Sequence, residues 1–206
     1  MQSLQFSNLG YVIDDVPIEL LDTLKNRATS LQNNFNTGIE YNKNLAGNIV
    51  REYDLQDLIP LFTPYIIELG KFYKTQFPYN PRFVSDSNII LKDFWINFQK
   101  KYEFNPSHNH TGLFSFVIWL DIPYDIESEI QQGPGAKSNN SLAGHFEFTY
   151  INSLGDITTM PIPADKKFNG KICMFPSGMF HTVYPFYTSD DYRITISGNL
   201  KFSSQV

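Results

Sequence analysis

The stretch that decides the fold is residues 105–112, NPSHNHTG. It holds two of the four histidines of a 206-residue chain, His108 and His110, one residue apart. A third histidine, His181, closes the segment PSGMFH, and Arg193 opens the segment RITIS. Three imidazoles near an arginine are typical of a mononuclear metal site beside an anion site. Imidazole binds iron, copper, zinc and nickel, so the histidines alone do not identify the metal.

The composition argues against several other kinds of site. The formal net charge is −5, and lysines and arginines are scattered, whereas a nucleic-acid-binding domain displays a basic patch or stripe. Cys173 is the only cysteine, which excludes an internal disulfide and a cysteine-rich zinc site. No window approaches the run of about 18 apolar residues that a membrane span needs, and the N-terminus does not resemble a signal peptide. We therefore expect no nucleic-acid partner, no membrane insertion and a cytoplasmic location.

The first 88 residues are expected to be mainly helical, after a short opening strand or pair of strands at residues 4–14 and with a turn-rich segment at residues 78–87. Apolar residues recur at three- and four-residue steps over residues 17–31 and again over residues 55–77, which predicts two amphipathic helices. Pro60 and Pro64 in the second segment predict an early start, a kink or two shorter helices. Residues 32–48 are rich in Asn and Gly and predict a loop. We interpret residues 1–88 as a helical support region within one domain that spans residues 1–206.

After residue 88 the apolar period changes to two, which is typical of strands. Apolar and polar residues alternate over residues 94–99, 145–150 and 193–200, and residues 112–122 and 169–184 add apolar strands. Residues 152–156 predict a hairpin turn, and residues 126–141 predict a long flexible loop. Two helices followed by about eight strands predict an α+β fold with a sandwich or barrel.

The polar positions of the last strand are informative. They are Arg193, Thr195, Ser197 and Asn199, whereas strands that face water usually carry Lys and Glu. One interpretation is an ordinary antiparallel sheet with its polar face in water. The interpretation that we favour is a barrel in which this row lines an interior ligand pocket.

Six short motifs occur in an order that resembles a known superfamily. They are WIN at residues 95–97, HNH at 108–110, SFVIWL at 115–120, FP at 175–176, HTVYP at 181–185 and RITISGN at 193–199. Together they resemble the Fe(II)- and 2-oxoglutarate-dependent oxygenases, and are most similar to small oxygenases of marine phages and bacteria. The likeness covers about residues 90–202. It implies a double-stranded β-helix, a jelly-roll or cupin-like barrel with its core at residues 89–202, supported by N-terminal helices.

The resemblance also implies an activity and its cofactors. The protein would be a 2-oxoglutarate-dependent dioxygenase that uses Fe(II) and couples decarboxylation of 2-oxoglutarate to hydroxylation of a substrate C–H bond. The substrate would be a small molecule or a protein side chain. A phage-encoded protein would act in the host cytoplasm. The substrate and the oligomeric state are not readable from the sequence.

The resemblance implies a role for six residues. The metal ligands would be His108, His110 and His181, and the cofactor-binding residues would be Arg193, Thr195 and Asn97. Arg193 would pair with the distal carboxylate of 2-oxoglutarate, since a guanidinium binds a carboxylate through two parallel hydrogen bonds. Thr195, two residues on, would add a hydroxyl donor.

One position departs from the superfamily pattern. Most members carry His-x-Asp or His-x-Glu, whereas this chain has His108-Asn109-His110. His110 then stands in the place of the acid and gives a three-histidine site, which is the reading we favour. Alternatively, His110 is the first ligand and Gly112 takes the acid position, as in halogenases. In a third reading Glu147 supplies the carboxylate, and in a fourth one histidine is only a hydrogen-bonding neighbour.

Two other classes of function compete with an enzyme. One is a cupin-like metal-binding barrel without oxygenase activity, and the other is a viral structural protein that kept the fold. Arg193 favours the oxygenase, because without 2-oxoglutarate it has no reason to point inward.

Overall fold

The computed structural model describes residues 9–78 and 89–203. The predictions for residues 4–8 and for nearly all of the turn-rich segment 78–87 therefore lie outside the described residues. The described parts contain three α-helices and ten strands: β1 (Val12–Asp15), α1 (Ile18–Asn33), β2 (Arg51–Asp54), α2 (Ile59–Gln76), β3 (Ile89–Gln99), β4 (Asn105–His108), β5 (Phe114–Asp121), α3 (Ile126–Gln132), β6 (Phe146–Ile151), β7 (Ile157–Ile162), β8 (Lys171–Pro176), β9 (Phe180–Val183) and β10 (Arg193–Phe202).

The strands form two antiparallel sheets. The larger sheet has six strands in the order β1-β8-β5-β10-β3-β2, and the smaller has four in the order β4-β9-β6-β7. Non-consecutive strands lie side by side in both sheets, so the chain passes repeatedly from one sheet to the other. This is the α+β arrangement of a barrel or sandwich that the sequence predicts.

The helices cover the outer face of the larger sheet. Leu24 of α1 and Phe62 of α2 pack with Phe94, Ile96 and the other apolar residues of that face in one buried cluster. Burying a side chain of this size stabilises the fold by about 1.5–3 kcal/mol. The apolar residues of β3 and β10 therefore face the helices, and their polar residues face the smaller sheet.

A second apolar cluster lies between the two sheets. Trp119 and Phe175 of the larger sheet meet Phe146 and Phe148 of the smaller one, together with the buried Cys173. Strands β5 and β8 are thus buried on both faces, which explains why their sequences read as continuous apolar runs. Only part of the space between the sheets is filled in this way, and the remainder is the cavity described below.

The two predicted helices are confirmed with small shifts. The first is α1, and the second is a 3₁₀ turn over Gln56–Leu58 followed by α2. Pro60 lies in the first turn of α2, where a residue without an N–H group costs little. Pro64 lies inside the helix. None of the helices in residues 9–78 and 89–203 is long and apolar enough to cross a membrane.

Two elements differ from the expectation. An opening strand is present as β1, at the end of the range predicted for it, but β2 is a further strand within the first 88 residues, and the two form the edges of the larger sheet. Residues 126–141 are not simply a flexible loop, because they begin with α3. The predicted hairpin at residues 146–161 is confirmed as β6 and β7. In its turn, the Asn152 side chain accepts hydrogen bonds from two backbone N–H groups.

Candidate metal centre and anion site

Three histidine side chains meet on the inner side of the smaller sheet. His108 ends β4 and pairs across the sheet with His181 of β9, and His110 follows two residues later. Their ligand nitrogens lie within 4.8 Å of one another, and the ring centroids of His108 and His181 are 4.2 Å apart. In the part of the chain that the structure describes, this is the one group of three or more His, Cys, Asp or Glu side chains that could hold a metal ion.

Backbone carbonyls orient two of the three rings. His108 Nδ1 lies 2.7 Å from the Pro106 carbonyl oxygen, and His181 Nδ1 lies 3.1 Å from that of Met179. Because a carbonyl oxygen can only accept, both Nδ1 atoms carry the proton and donate. The Nε2 lone pairs are then available for a metal. A hydrogen bond from the second ring nitrogen is the usual support of a metal-bound histidine.

The surroundings keep the imidazoles neutral. Burial lowers the pKa of His108 and lowers that of His110 to about 4, with repulsion from His108 adding to the second effect. Burial also puts the pKa of His181 well below its ordinary value, and the Phe146 ring stacks on it at 5.4 Å. Neutral imidazole is the form that binds metals. The donor set therefore fits a divalent transition metal such as Fe(II).

The structure brings neither Glu147 nor Gly112 to this cluster. Phe148 on β6 lies directly opposite His181, so the neighbouring Glu147 projects from the other face, where its carboxylate accepts from the Tyr184 hydroxyl at 3.0 Å. Gly112 has a φ of +130°, and a Cβ there would stand 2.7 Å from the Leu200 carbonyl oxygen. Gly112 thus faces the backbone of β10, not the histidines.

Three of the four polar residues of the last strand, Arg193, Thr195 and Ser197, line a cavity between the sheets. Thr195 lies opposite Asn97, and Arg193 lies opposite Gln99, in adjacent strands. The cavity has a volume of about 50 Å³, and the three histidines line it as well. The inward orientation that we favoured over a water-facing sheet is therefore the observed one.

Arg193 is a buried cation that pairs with no carboxylate among the described residues. It is 2% exposed, and its five N–H groups donate to neutral acceptors: Gln99 Oε1 twice, the Tyr124 hydroxyl and the carbonyls of Gly144 and Tyr184. A buried cation without a direct ion-pair partner favours an anion in the cavity. The guanidinium fork is already occupied, however, so Arg193 acts on such an anion through its charge rather than through free N–H groups.

The Thr195 hydroxyl lies near the Arg193 guanidinium and can donate a hydrogen bond. Trp95 Nε1 donates to Asn97 Oδ1 at 3.0 Å, and Asn97 Nδ2 donates to Thr195 Oγ1 at 3.1 Å. The Thr195 oxygen thus accepts from Asn97, and its own hydrogen is left for an acceptor in the cavity. Asn97 has its amide engaged by protein groups, and it positions Thr195.

Sequence reasoning missed several residues of this site. Gln99 is not among them, because it shares the face of β3 with Asn97 and the alternation of that strand indicates both. Glu52 and Asn105 also line the cavity, but Glu52 lies on a four-residue strand that shows no readable period. Tyr124, which accepts from Arg193, follows the end of β5 and carries no signal of its own.

Two sheets that enclose a three-histidine cluster and a buried arginine define a metal-binding barrel. Residues 93–199, just over half of the chain, match the family model described as "Putative 2OG-Fe(II) oxygenase". The chain belongs to this family of oxygenases. It is an oxidoreductase of the dioxygenase type, and its cofactors are Fe(II) and 2-oxoglutarate.

Solved structures show the same fold at low sequence identity. A prolyl-4-hydroxylase from Pseudomonas putida is 12% identical with a TM-score of 0.55, over 94% of this chain and 93% of that one. A prolyl hydroxylase from Trichoplax adhaerens, in complex with a peptide fragment of the hypoxia inducible factor oxygen degradation domain, is 12% identical with a TM-score of 0.51, over 95% and 84%. EvdMO1 is 17% identical with a TM-score of 0.57, over 95% of this chain but 48% of its own.

These likenesses confirm the predicted double-stranded β-helix. No curated protein sequence matches the chain. The predicted closeness to oxygenases of marine phages stays a prediction.

Proposed function

We propose that this protein is a hydroxylase in which His108, His110 and His181 hold the iron. The observation that carries the proposal is the presence, in one cavity, of three neutral imidazoles and one buried guanidinium that pairs with no carboxylate of the described residues. The first set suits a divalent metal, and the second suits an anion. A dicarboxylic keto acid that chelates the metal at one end and meets Arg193 at the other satisfies both.

Each cofactor-binding residue has a separate task in this proposal. Arg193 supplies the positive charge for the distal carboxylate of 2-oxoglutarate, and Thr195 supplies a hydrogen bond. Asn97 holds the Thr195 hydroxyl in place. Bound Fe(II) and 2-oxoglutarate would supply the oxidising chemistry with O₂ as the oxidant: one oxygen atom would enter succinate as 2-oxoglutarate loses carbon dioxide, and the other would hydroxylate the substrate. The protein contributes position and exclusion of water.

The substrate in this proposal is a small molecule or a protein side chain. The Trichoplax adhaerens enzyme of the same fold is seen with a peptide, which makes a side-chain substrate compatible with the barrel. We keep the single-domain organisation, with residues 89–202 as the barrel core, and the cytoplasmic location as parts of the same proposal.

Succinate formation tests the proposed function. The protein is incubated aerobically with Fe(II), ascorbate and 2-oxoglutarate, and succinate is followed over time. We expect succinate to depend on iron and to disappear in His181→Ala, whereas Glu147→Ala retains it. Iron-bound protein that neither binds nor consumes 2-oxoglutarate would instead support the cupin-like barrel without oxygenase activity.

A further inference from the structure

A second group of polar side chains lines the cavity on the side away from Arg193. In the larger sheet, Thr195 of β10 lies opposite Asn97 of β3, and Asn97 lies opposite Glu52 of β2. Glu52 is therefore two strands from Thr195, roughly 10 Å at the usual strand spacing. Glu52, Asn97 and Thr195 line the same cavity. Glu52 is therefore positioned to contact a substrate that binds beside the cofactor.

Two side-chain oxygens at this position lack hydrogen-bond donors. Glu52 is 1% exposed. Its Oε2 accepts from Asn42 Nδ2 at 3.1 Å, but no described residue donates to Oε1. Asn105 Oδ1 has no partner either, but it is buried beneath Gly47 and out of reach of a ligand. Leaving a buried oxygen without a donor costs about 1–3 kcal/mol, so a ligand that donates to Glu52 Oε1 would stabilise this arrangement.

A glycine brings the chain directly over these oxygens. A Cβ on Gly47 would stand 2.2 Å from Asn105 Oδ1 and 3.2 Å from Glu52 Oε1. The segment around Gly47 is fixed, because Asn48 N donates to the Phe104 carbonyl at 2.8 Å and Val50 N donates to Glu103 Oε1 at 3.1 Å. The two acceptors are therefore held together in a defined recess of the wall.

The electrostatics of the recess favour a cation. Glu103 is the charged neighbour that acts on Glu52, and it carries the same sign. Arg193 is the one lysine or arginine that lines the cavity among the described residues, and it stands on the other side. Burial, with repulsion from Glu103, raises the pKa of Glu52 to about 7. A positively charged ligand group would offset both the burial of the Glu52 carboxylate and its repulsion by Glu103.

We propose that Glu52 forms the substrate subsite, and that it binds the ammonium group of an amine substrate. An ammonium offers three N–H donors and a compensating charge, and Glu52 Oε1 accepts. The proposal rests on the proposed function in one respect, namely that iron and 2-oxoglutarate occupy the remainder of the cavity. It specifies the substrate class: an amine, either free or as a lysyl side chain.

Matched probes test this proposal. The full-length protein, with and without Fe(II) and 2-oxoglutarate under anaerobic conditions, is titrated with butylammonium chloride and with Nα-acetyl-lysine amide. The counterpart is Nα,Nε-diacetyl-lysine amide, which lacks the charge but keeps an N–H donor. We expect the charged probes to bind at least tenfold more tightly than the diacetylated one. Preference for the lysine derivative over butylammonium would assign a protein side chain, and the reverse would assign a free amine.

Variants separate this subsite from the cofactor site. Glu52→Gln should remove most of the preference for the charged probes, and Glu127→Gln, the same change at an exposed position of α3, should leave it intact. Arg193→Gln should weaken 2-oxoglutarate binding but leave the affinity for the ammonium probes unchanged. The two titrations therefore distinguish an error in the cofactor site from an error in the amine subsite. Equal affinities of wild type and Glu52→Gln for the ammonium probes would overturn the proposal. An Asn105 amide turned to donate to Glu52 would give that result, because the two side chains would then satisfy each other.

Discussion

At the scale of single residues, the histidine cluster gives the most specific prediction. His108, His110 and His181 converge within 4.8 Å, and Glu147 projects from the opposite face of its strand. Loss of an outer-shell partner alone weakens metal binding by about 10–100-fold. We expect each single change of a histidine to Ala to weaken Fe(II) binding by roughly 100-fold or more. Anaerobic titration with the metal, with circular dichroism to verify folding, measures this.

Glu147→Ala is the control for the histidine variants. It removes a carboxylate that lies opposite Thr182, next to His181, but is not directed at the cluster, so iron affinity should stay at the wild-type value. A large loss of iron in Glu147→Ala, or full iron occupancy in His110→Ala, would contradict the three-histidine site.

Arg193 and Thr195 should affect the keto acid but not the metal. Removing one partner of a buried charge pair costs about 2–5 kcal/mol, so Arg193→Gln should weaken 2-oxoglutarate binding by about 30-fold or more. A hydrogen bond to a charged group is worth about 1.5–3 kcal/mol, so Thr195→Val should cost about tenfold. Calorimetric titration of the iron-loaded protein gives both constants. An unchanged constant in Arg193→Gln would place the anion elsewhere.

Glu52 should make stability depend on pH. Its pKa is raised in the folded protein from 4.5 to about 7, so the folded state binds more protons than the unfolded state between these values. The free energy of unfolding therefore falls as pH rises from about 4.5 to about 7. Glu52→Gln should abolish this contribution, which amounts to at most about 3 kcal/mol. Urea denaturation at pH 5 and pH 8 measures it, and parallel losses in wild type and variant would refute the assignment.

The sequence predicted the cavity lining that comes from long strands better than the lining that comes from loops. Arg193 and Thr195 were expected in the cavity because they sit on a long strand whose alternation shows which residues share a face. Asn105 lies in the stretch quoted first, yet its surroundings depend on Gly47, more than fifty residues earlier. Contacts of this kind arise from loop packing, which leaves no periodic trace in the sequence.

At the scale of elements, α3 illustrates what pattern reading overlooks. A helix of seven residues, IESEIQQ, is too short to display a helical period clearly. Its central residue Glu129 is fully buried and accepts hydrogen bonds from the backbone N–H groups of Tyr187 and Thr188. The helix thereby fixes the segment that follows Tyr184, whose carbonyl accepts from Arg193.

Glu129→Ala should therefore destabilise the protein. The change leaves two backbone N–H groups without an acceptor, and each such loss costs about 1–3 kcal/mol. We expect the free energy of unfolding to fall by about 3 kcal/mol in chemical denaturation. Glu127→Ala, at an exposed position of the same helix, should change it by less than about 0.5 kcal/mol. Similar values for the two variants would show that α3 does not hold this segment.

The strand β2 is a comparable case in the larger sheet. Its four residues, REYD, precede a helix and follow a loop, and nothing in their order distinguishes them from either. Strand pairing with β3 makes them a strand. The long strands β3, β5 and β10 were predictable because each has eight or more residues with a consistent apolar pattern.

At the scale of the whole molecule, the two sheets supply different residues of the site. The histidines come from the smaller sheet or follow directly from it, and Arg193 and Thr195 come from the larger one. Iron alone would contact the smaller sheet and its adjoining loop. A keto acid that reaches from the iron to Arg193 would contact both sheets.

Ligand binding should therefore stabilise the molecule in two separable steps. A ligand present at 100 times its dissociation constant adds about 2.7 kcal/mol, and in a chain of this size each 1 kcal/mol raises Tm by about 2–4 °C. We expect Fe(II) to raise Tm, and 2-oxoglutarate to add roughly 5–10 °C in the iron-loaded protein under anaerobic conditions. Arg193→Gln should keep the first increase and lose most of the second, whereas His181→Ala should lose both. A full second increase in Arg193→Gln would mean that the keto acid does not join the two sheets through that residue.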